Sequence, residues 1–119
     1  MSTLKEQILN HINERYDVVP DHPFSKFPDY AVFRHKSNNK WFALVMNVPF
    51  EKLDVQKSGN VDVIDLKVDS EIKSILLQKP GFFPAYHMNK EHWISLALDQ
   101  TIPQQNLFDL IEDSFNLTS

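Results

Sequence analysis

The sequence has no cysteine, no long apolar run and no surplus of positive charge. Without cysteine there is no disulfide framework, no zinc ribbon and no cysteine nucleophile. No stretch approaches the roughly 18 consecutive apolar residues of a membrane span, and the start, MSTLKEQILNHINERYD, is charged throughout and lacks the apolar core of a signal peptide. A cytoplasmic protein is therefore expected. The formal charge of −4 gives a field that repels phosphate, so any nucleic-acid role must rest on a local patch.

What is present reads as one domain over residues 1–119. A chain of this length buries roughly two thirds of its unfolded surface, and its 42% hydrophobic and 24% charged residues lie far from the composition of disorder. Thr3 and Glu6 have the spacing of a capping box, and Leu4, Ile8, Ile12 and Tyr16 follow on one face of a first helix. Prolines at 20, 23 and 28 make the next stretch a connector, ordered by the burial that Phe24 and Phe27 would seek. Two β-rich runs, YAVFRH and WFALVMNV, then flank a polar turn. In the second, Phe42, Leu44 and Met46 alternate with Trp41, Ala43 and Val45, and neither face is strongly polar, as in an interior strand. VDVIDLKV forms a third strand, with Ile64, Leu66 and Val68 alternating with polar Asp65 and Lys67. Asp69 caps a short helix that Pro80-Gly81 ends.

The segment GFFPAYHMNKEHWISLAL (81–98) reads as a second hairpin turning at Asn89-Lys90, with Trp93, Ile94, Leu96 and Leu98 in its second strand and Trp93 buried against a helix. Pro103 stands where a first helical residue would, and Leu107, Leu110, Ile111 and Phe115 mark the buried face of a last helix. The order is α-β-β-β-α-β-β-α, an α+β fold, without repeats or low-complexity tracts.

DLKVDSE (65–71), PAYHMNKEHW (84–93), LALD (96–99) and SFNLT (114–118), with the aromatic hairpin DYAVFRHKSNNKWFALV, give the whole chain a resemblance to the MmcQ/YjbR family of small bacterial proteins. That resemblance implies a two-layer fold with an antiparallel sheet, comparable to secretion chaperones, and carries the label of a double-wing DNA-binding protein. It transfers no catalytic or binding residue. One departure is the turn before the last helix, Asp99-Gln100, where the family often has Asp-Gly.

Several residue groups invite sharper readings. His87 and His92, with His35 as a third candidate, offer no tight histidine spacing of a metal site and the chain has no cysteine, so no metal or cofactor is expected. His87, Lys90, Glu91 and His92 contain acid/base chemistry, but turn residues of these types are ordinarily solvated, so no catalytic residues are assigned. Trp41 and Trp93 suit base stacking in principle, yet each lies in an apolar run that favours the core. Arg34, Lys36 and Lys40 flank one hairpin turn, and His87, Lys90 and His92 the other. Charges there protect edges and keep the chain soluble. As two wings they would also grip phosphates.

The expectation is a non-catalytic protein that contacts duplex DNA weakly through Arg34, Lys36, Lys40, His87, Lys90 and His92. The alternative is a protein- or peptide-interaction module with an apolar groove beside Phe24, Phe27 and Phe50 and no nucleic-acid role.

Overall fold

A computed structural model describes residues 3–119. Helix α1 spans Leu4–Tyr16, β1 Ala31–Arg34, β2 Trp41–Pro49, β3 Asn60–Lys67, α2 Ser70–Leu76, β4 Phe82–Pro84, β5 Trp93–Ala97 and α3 Gln104–Thr118, with a 3-10 turn over Phe50–Leu53. This is the α+β order expected from the sequence. Thr3 Oγ1 accepts the Glu6 amide at 3.1 Å and starts α1, while Asp69 Oδ1 accepts the Glu71 amide at 2.9 Å and starts α2. Pro103 is the residue just before α3 rather than its first, a one-residue difference of the kind helix ends commonly show.

All strands pair antiparallel in the order β1-β2-β3-β5-β4. β3 is central, and β2 is interior as its two apolar faces require. One face packs Ala43, Val45, Ile64, Leu66, Ile94 and Leu96 against Ile8 and Ile12 of α1 and Leu107 and Ile111 of α3. The other face carries Leu44, Met46, Val48, Val61, Val63 and Ala97 beneath Tyr30, Phe50, Leu53 and the half-buried Phe24 and Tyr86. Connectors thus cover this second face in place of helices. For that reason Asp65, whose alternation with Ile64 and Leu66 reads as outward in sequence, is fully buried.

A register break between β1 and β2 sets the geometry of one sheet end. Phe33 opposes Ala43 and Arg34 opposes Trp41, so Phe42 is an extra residue, a β-bulge. The bulge sends Phe42 to the helix side with Ala43 and Val45 and turns Trp41 to the other side, reversing the simple alternation of the sequence. The β2–β3 ladder stops at Ala43–Leu66. Beyond it the buried hydroxyl of Ser114 on α3 takes over: its Oγ accepts the Lys67 amide at 3.0 Å and donates to the Phe42 carbonyl at 2.6 Å.

The second hairpin is shorter than its sequence implies. β4 stops at Pro84 because the Tyr86 amide goes to the Ser95 hydroxyl at 2.9 Å and His87 takes a left-handed backbone, φ 69°. Trp93 is buried as expected, but alternation places it with Ser95 and Ala97, on the face away from α1 and α3. Phe27 remains 44% exposed, stacked on Tyr30 at 4.6 Å, instead of entering the core.

Ser114→Ala would strand a part-buried amide and a buried carbonyl together, each worth about 1–3 kcal/mol when unpaired in the interior. The expected loss in urea denaturation is about 2–4 kcal/mol; a loss under about 0.5 kcal/mol would show that the sheet end does not depend on this hydroxyl. Gln100 holds φ 73° in the turn where Thr101 donates its amide to Asp99 Oδ1. Gln100→Gly relieves a left-handed side-chain residue and should stabilise by about 0.5–1 kcal/mol, read as a melting temperature a few degrees higher.

Candidate functional site

Both hairpin turns project from the same end of the sheet. Trp41 and Arg34 pair where β1 meets β2, and Trp93 pairs with Lys67 where β5 meets β3, so β2 and β5 flank β3 about 10 Å apart. Between them β3 runs through Val68, whose amide donates to the His92 carbonyl at 2.9 Å, into α2. The C-terminus of α3 is moored to the first turn: Asn38 Nδ2 donates to the Thr118 carbonyl at 3.0 Å, and His35 Nε2 lies 2.7 Å from Thr118 Oγ1. That hydroxyl already donates to the Ser114 carbonyl, so His35 carries its proton on Nε2. Burial lowers the pKa of this imidazole.

The cations expected to form the wings are mostly engaged. Arg34 Nε lies 2.8 Å from Asp21 Oδ2, a charge contact whose N–H is not aligned as a hydrogen bond, and its guanidinium sits over Trp41. Lys36 Nζ bonds Asp17 Oδ2 at 3.1 Å. Lys90 donates to the Ala85 carbonyl at 2.9 Å inside its own turn. Lys40 at the first turn is exposed and has no ion pair among the described residues.

The histidines of the second turn separate. His87 lies against Tyr86, Tyr30 and Phe27, with ring centroids 4.1, 5.7 and 5.9 Å away. Burial first, and Lys90 second, lower its pKa, so it brings no charge to a phosphate at neutral pH. His92 is exposed, 4.0 Å from the Glu91 carboxylate. Among the described residues no group of three or more histidines and carboxylates is placed to hold a metal ion, and no helix is long and apolar enough to cross a membrane.

The same end carries a groove between α2 and α3 of about 320 Å³, lined by Val68, Asp69, Ile72, Leu110, Asp113 and Leu117 among others. α2 fully buries none of its side chains, and only Leu76 packs half-buried against the core. Ile72 and Leu117 are 40% and 45% exposed, and Ile75 on the next turn is 59% exposed. Of the residues expected beside an apolar groove, Phe50 is buried under the second face and Phe27 lines a separate hollow with Pro28, Tyr30 and Asn47, while the more apolar groove is this one between α2 and α3. The sequence contained one signal for it: isoleucines at helical spacing on a helix too short to hold itself by propensity.

Asp65 is the other residue that sequence reasoning missed. Its Oδ1 accepts the Ser95 hydroxyl and its Oδ2 is buried without a partner. Desolvation raises its pKa well above the ordinary value, opposed by the Ser95 hydrogen bond and by Lys90. Ser95 also accepts the Tyr86 amide, so the chain Asp65–Ser95–Tyr86 ties the second turn to the sheet. The available signal was that Val61 and Val63 share the face of Asp65.

A sequence profile described as YjbR matches residues 14–117. The chain belongs to the YjbR family. It is 46% identical over 114 residues to the uncharacterized protein YyaQ of Bacillus subtilis (strain 168), covering 96% of this chain and 97% of that one. It is 49% identical to YbdF of Escherichia coli O157:H7 over 59 residues, 48% of each chain. A crystal structure of a Pseudomonas syringae protein matches the whole of both chains at 50% identity with a TM-score of 0.94. A Deinococcus radiodurans crystal structure with a DUF419 domain matches 98% of this chain and 78% of that one at 27% identity, TM-score 0.68. In this YjbR-family chain three of the segments that carry the resemblance help tie the hairpin end together. SFNLT supplies Ser114 and Thr118, DLKVDSE supplies Asp65 and the Asp69 cap, and PAYHMNKEHW is the second turn.

A carboxyl whose folded pKa is raised binds its proton more tightly in the folded chain. Asp65 therefore withdraws stability as pH rises from about 4 toward its folded pKa. Asp65→Asn removes that titration. The difference in urea midpoint, variant minus parent, should grow with pH across this window; a difference constant between pH 3.5 and 8 would mean that Asp65 titrates alike folded and unfolded.

Proposed function

We propose that this YjbR-family chain is a cytoplasmic, non-catalytic binding module that takes a protein segment at the hairpin end of its sheet. The observation that carries the reading is the character of that end. The groove between α2 and α3 at that end is largely apolar and bears Asp69 and Asp113, while Arg34 and Lys36 are matched by Asp21 and Asp17. Phosphate would meet carboxylates there; an apolar segment would meet Ile72, Leu110 and Leu117. The non-catalytic part of the reading is supported by the dispersal of His87, Lys90 and His92, which point to different partners and converge on no cavity.

A second reading, duplex DNA held by the turns, has one observation in its favour: both turns leave the sheet at one end. Its contacts would be Arg34, Lys36, Lys40, His87, Lys90 and His92. With Arg34 and Lys36 paired and His87 neutral, about two phosphates are neutralised, for a log–log salt slope near −2. In a titration of duplex DNA we expect dissociation constants no tighter than about 10⁻⁵ M at physiological salt, and loss of any binding seen at about 20 mM salt in Lys36→Glu/Lys40→Glu with an unchanged melting temperature. A slope of about −4 or steeper with submicromolar affinity would put DNA first.

A further inference from the structure

The groove between α2 and α3 has a shape and a charge that select its occupant. We propose that it docks an amphipathic helix whose leucine-type face is flanked by lysine or arginine, an assignment that rests on the protein-segment reading above. Three branched side chains, Ile72, Ile75 and Leu117, stand exposed on or beside the groove, and α2 is capped by Asp69 yet fully buries no side chain, with Leu76 half-buried against the core. A seven-residue helix of that kind is marginal alone, and an apolar surface laid on Ile72 and Ile75 would complete it. A helix presents side chains at i, i+3, i+4 and i+7, which suits a groove running between two helices.

The charge argues for a basic partner. α3 carries Asp109, Asp113 and a Glu112 already paired with Arg15 at 3.0 Å, and neither lysine nor arginine from Gln104 to Thr118. Asp69 and Asp113 line the groove itself. Two lysines of the adjoining β3 and α2 are directed elsewhere: Lys73 Nζ donates to the carbonyls of Lys90 and Glu91, and Lys67 alternates to the opposite face of the sheet with Asp65. A second copy of this chain, at net charge −4, would bring like charge to the groove.

The test uses the full chain, ¹⁵N-labelled, and two synthetic helical peptides with leucine at i, i+3, i+4 and i+7: one with lysine at the remaining positions, one with glutamate. The lysine peptide should shift the amides of Val68, Ile72, Leu110 and Leu117 saturably, and the glutamate peptide should bind at least about tenfold more weakly. Leu117→Asp should weaken the lysine peptide about tenfold or more, and Asp113→Lys about three- to tenfold. Both positions are exposed, so amide dispersion and melting temperature should hold. Equal binding of the two peptides, no effect of either variant, or a concentration-dependent dimer that buries Leu117 would overturn the assignment. Shifts confined to another face would retire the groove and leave the protein-segment reading standing. No binding of either peptide, together with steeply salt-dependent DNA binding, would retire that reading as well.

Discussion

The hydroxyl of Ser114 stands where a rung of the sheet is missing. The bulge at Phe42 ends the β2–β3 ladder early, and one side chain from α3 accepts the Lys67 amide and donates to the Phe42 carbonyl in its place. Everything at this end follows from that substitution. α3 is fixed against the sheet, Phe115 is brought onto Phe42, Tyr16 and His35, and Thr118 reaches His35 one helical turn later. The bulge also decides which ring faces which layer, since it sends Phe42 to the helices and Trp41 under Arg34.

The second constraint is that both faces of the sheet are covered, one by helices and one by connectors. Asp65 is the cost of that arrangement. A carboxyl on the connector side is fully desolvated, with Ser95 as its hydrogen-bond donor, and the hydroxyl that serves it also holds the Tyr86 amide. The second turn is therefore anchored through a titratable group, with Lys90 closing the turn on the Ala85 carbonyl. The first turn is anchored differently, through the buried His35 and the end of α3.

Element order and type were legible because their signals are local: the Thr3 and Asp69 caps, the helical spacing of Leu107, Leu110 and Ile111, and the polar turns between β-branched runs. The facing of individual side chains was less so. Phe42 and Trp41 are reversed by a bulge that depends on pairing with β1, a non-local event that alternation within β2 cannot report. Asp65 reads as outward until the connectors are folded over it. The turn cations were found as residues, but their pairing with Asp17 and Asp21 joins segments that sequence distance separates. The α2–α3 groove lies between two elements whose apolar spacing, read singly, assigns both to the core.

The margins of the sheet limit how any partner can approach. β4 is three residues long and ends on Pro84, which has no amide to offer. Along β1, the connector exchanges both backbone hydrogen bonds between Asp21 and Val32, at 2.8 and 2.9 Å, and so occupies part of the outer row of amides and carbonyls. Neither margin offers a long free template for an incoming strand, which disfavours lengthening of the sheet across molecules and the fibrillar stacking that can follow from it. Margins this short and occupied leave little free main chain on which another copy could add a strand.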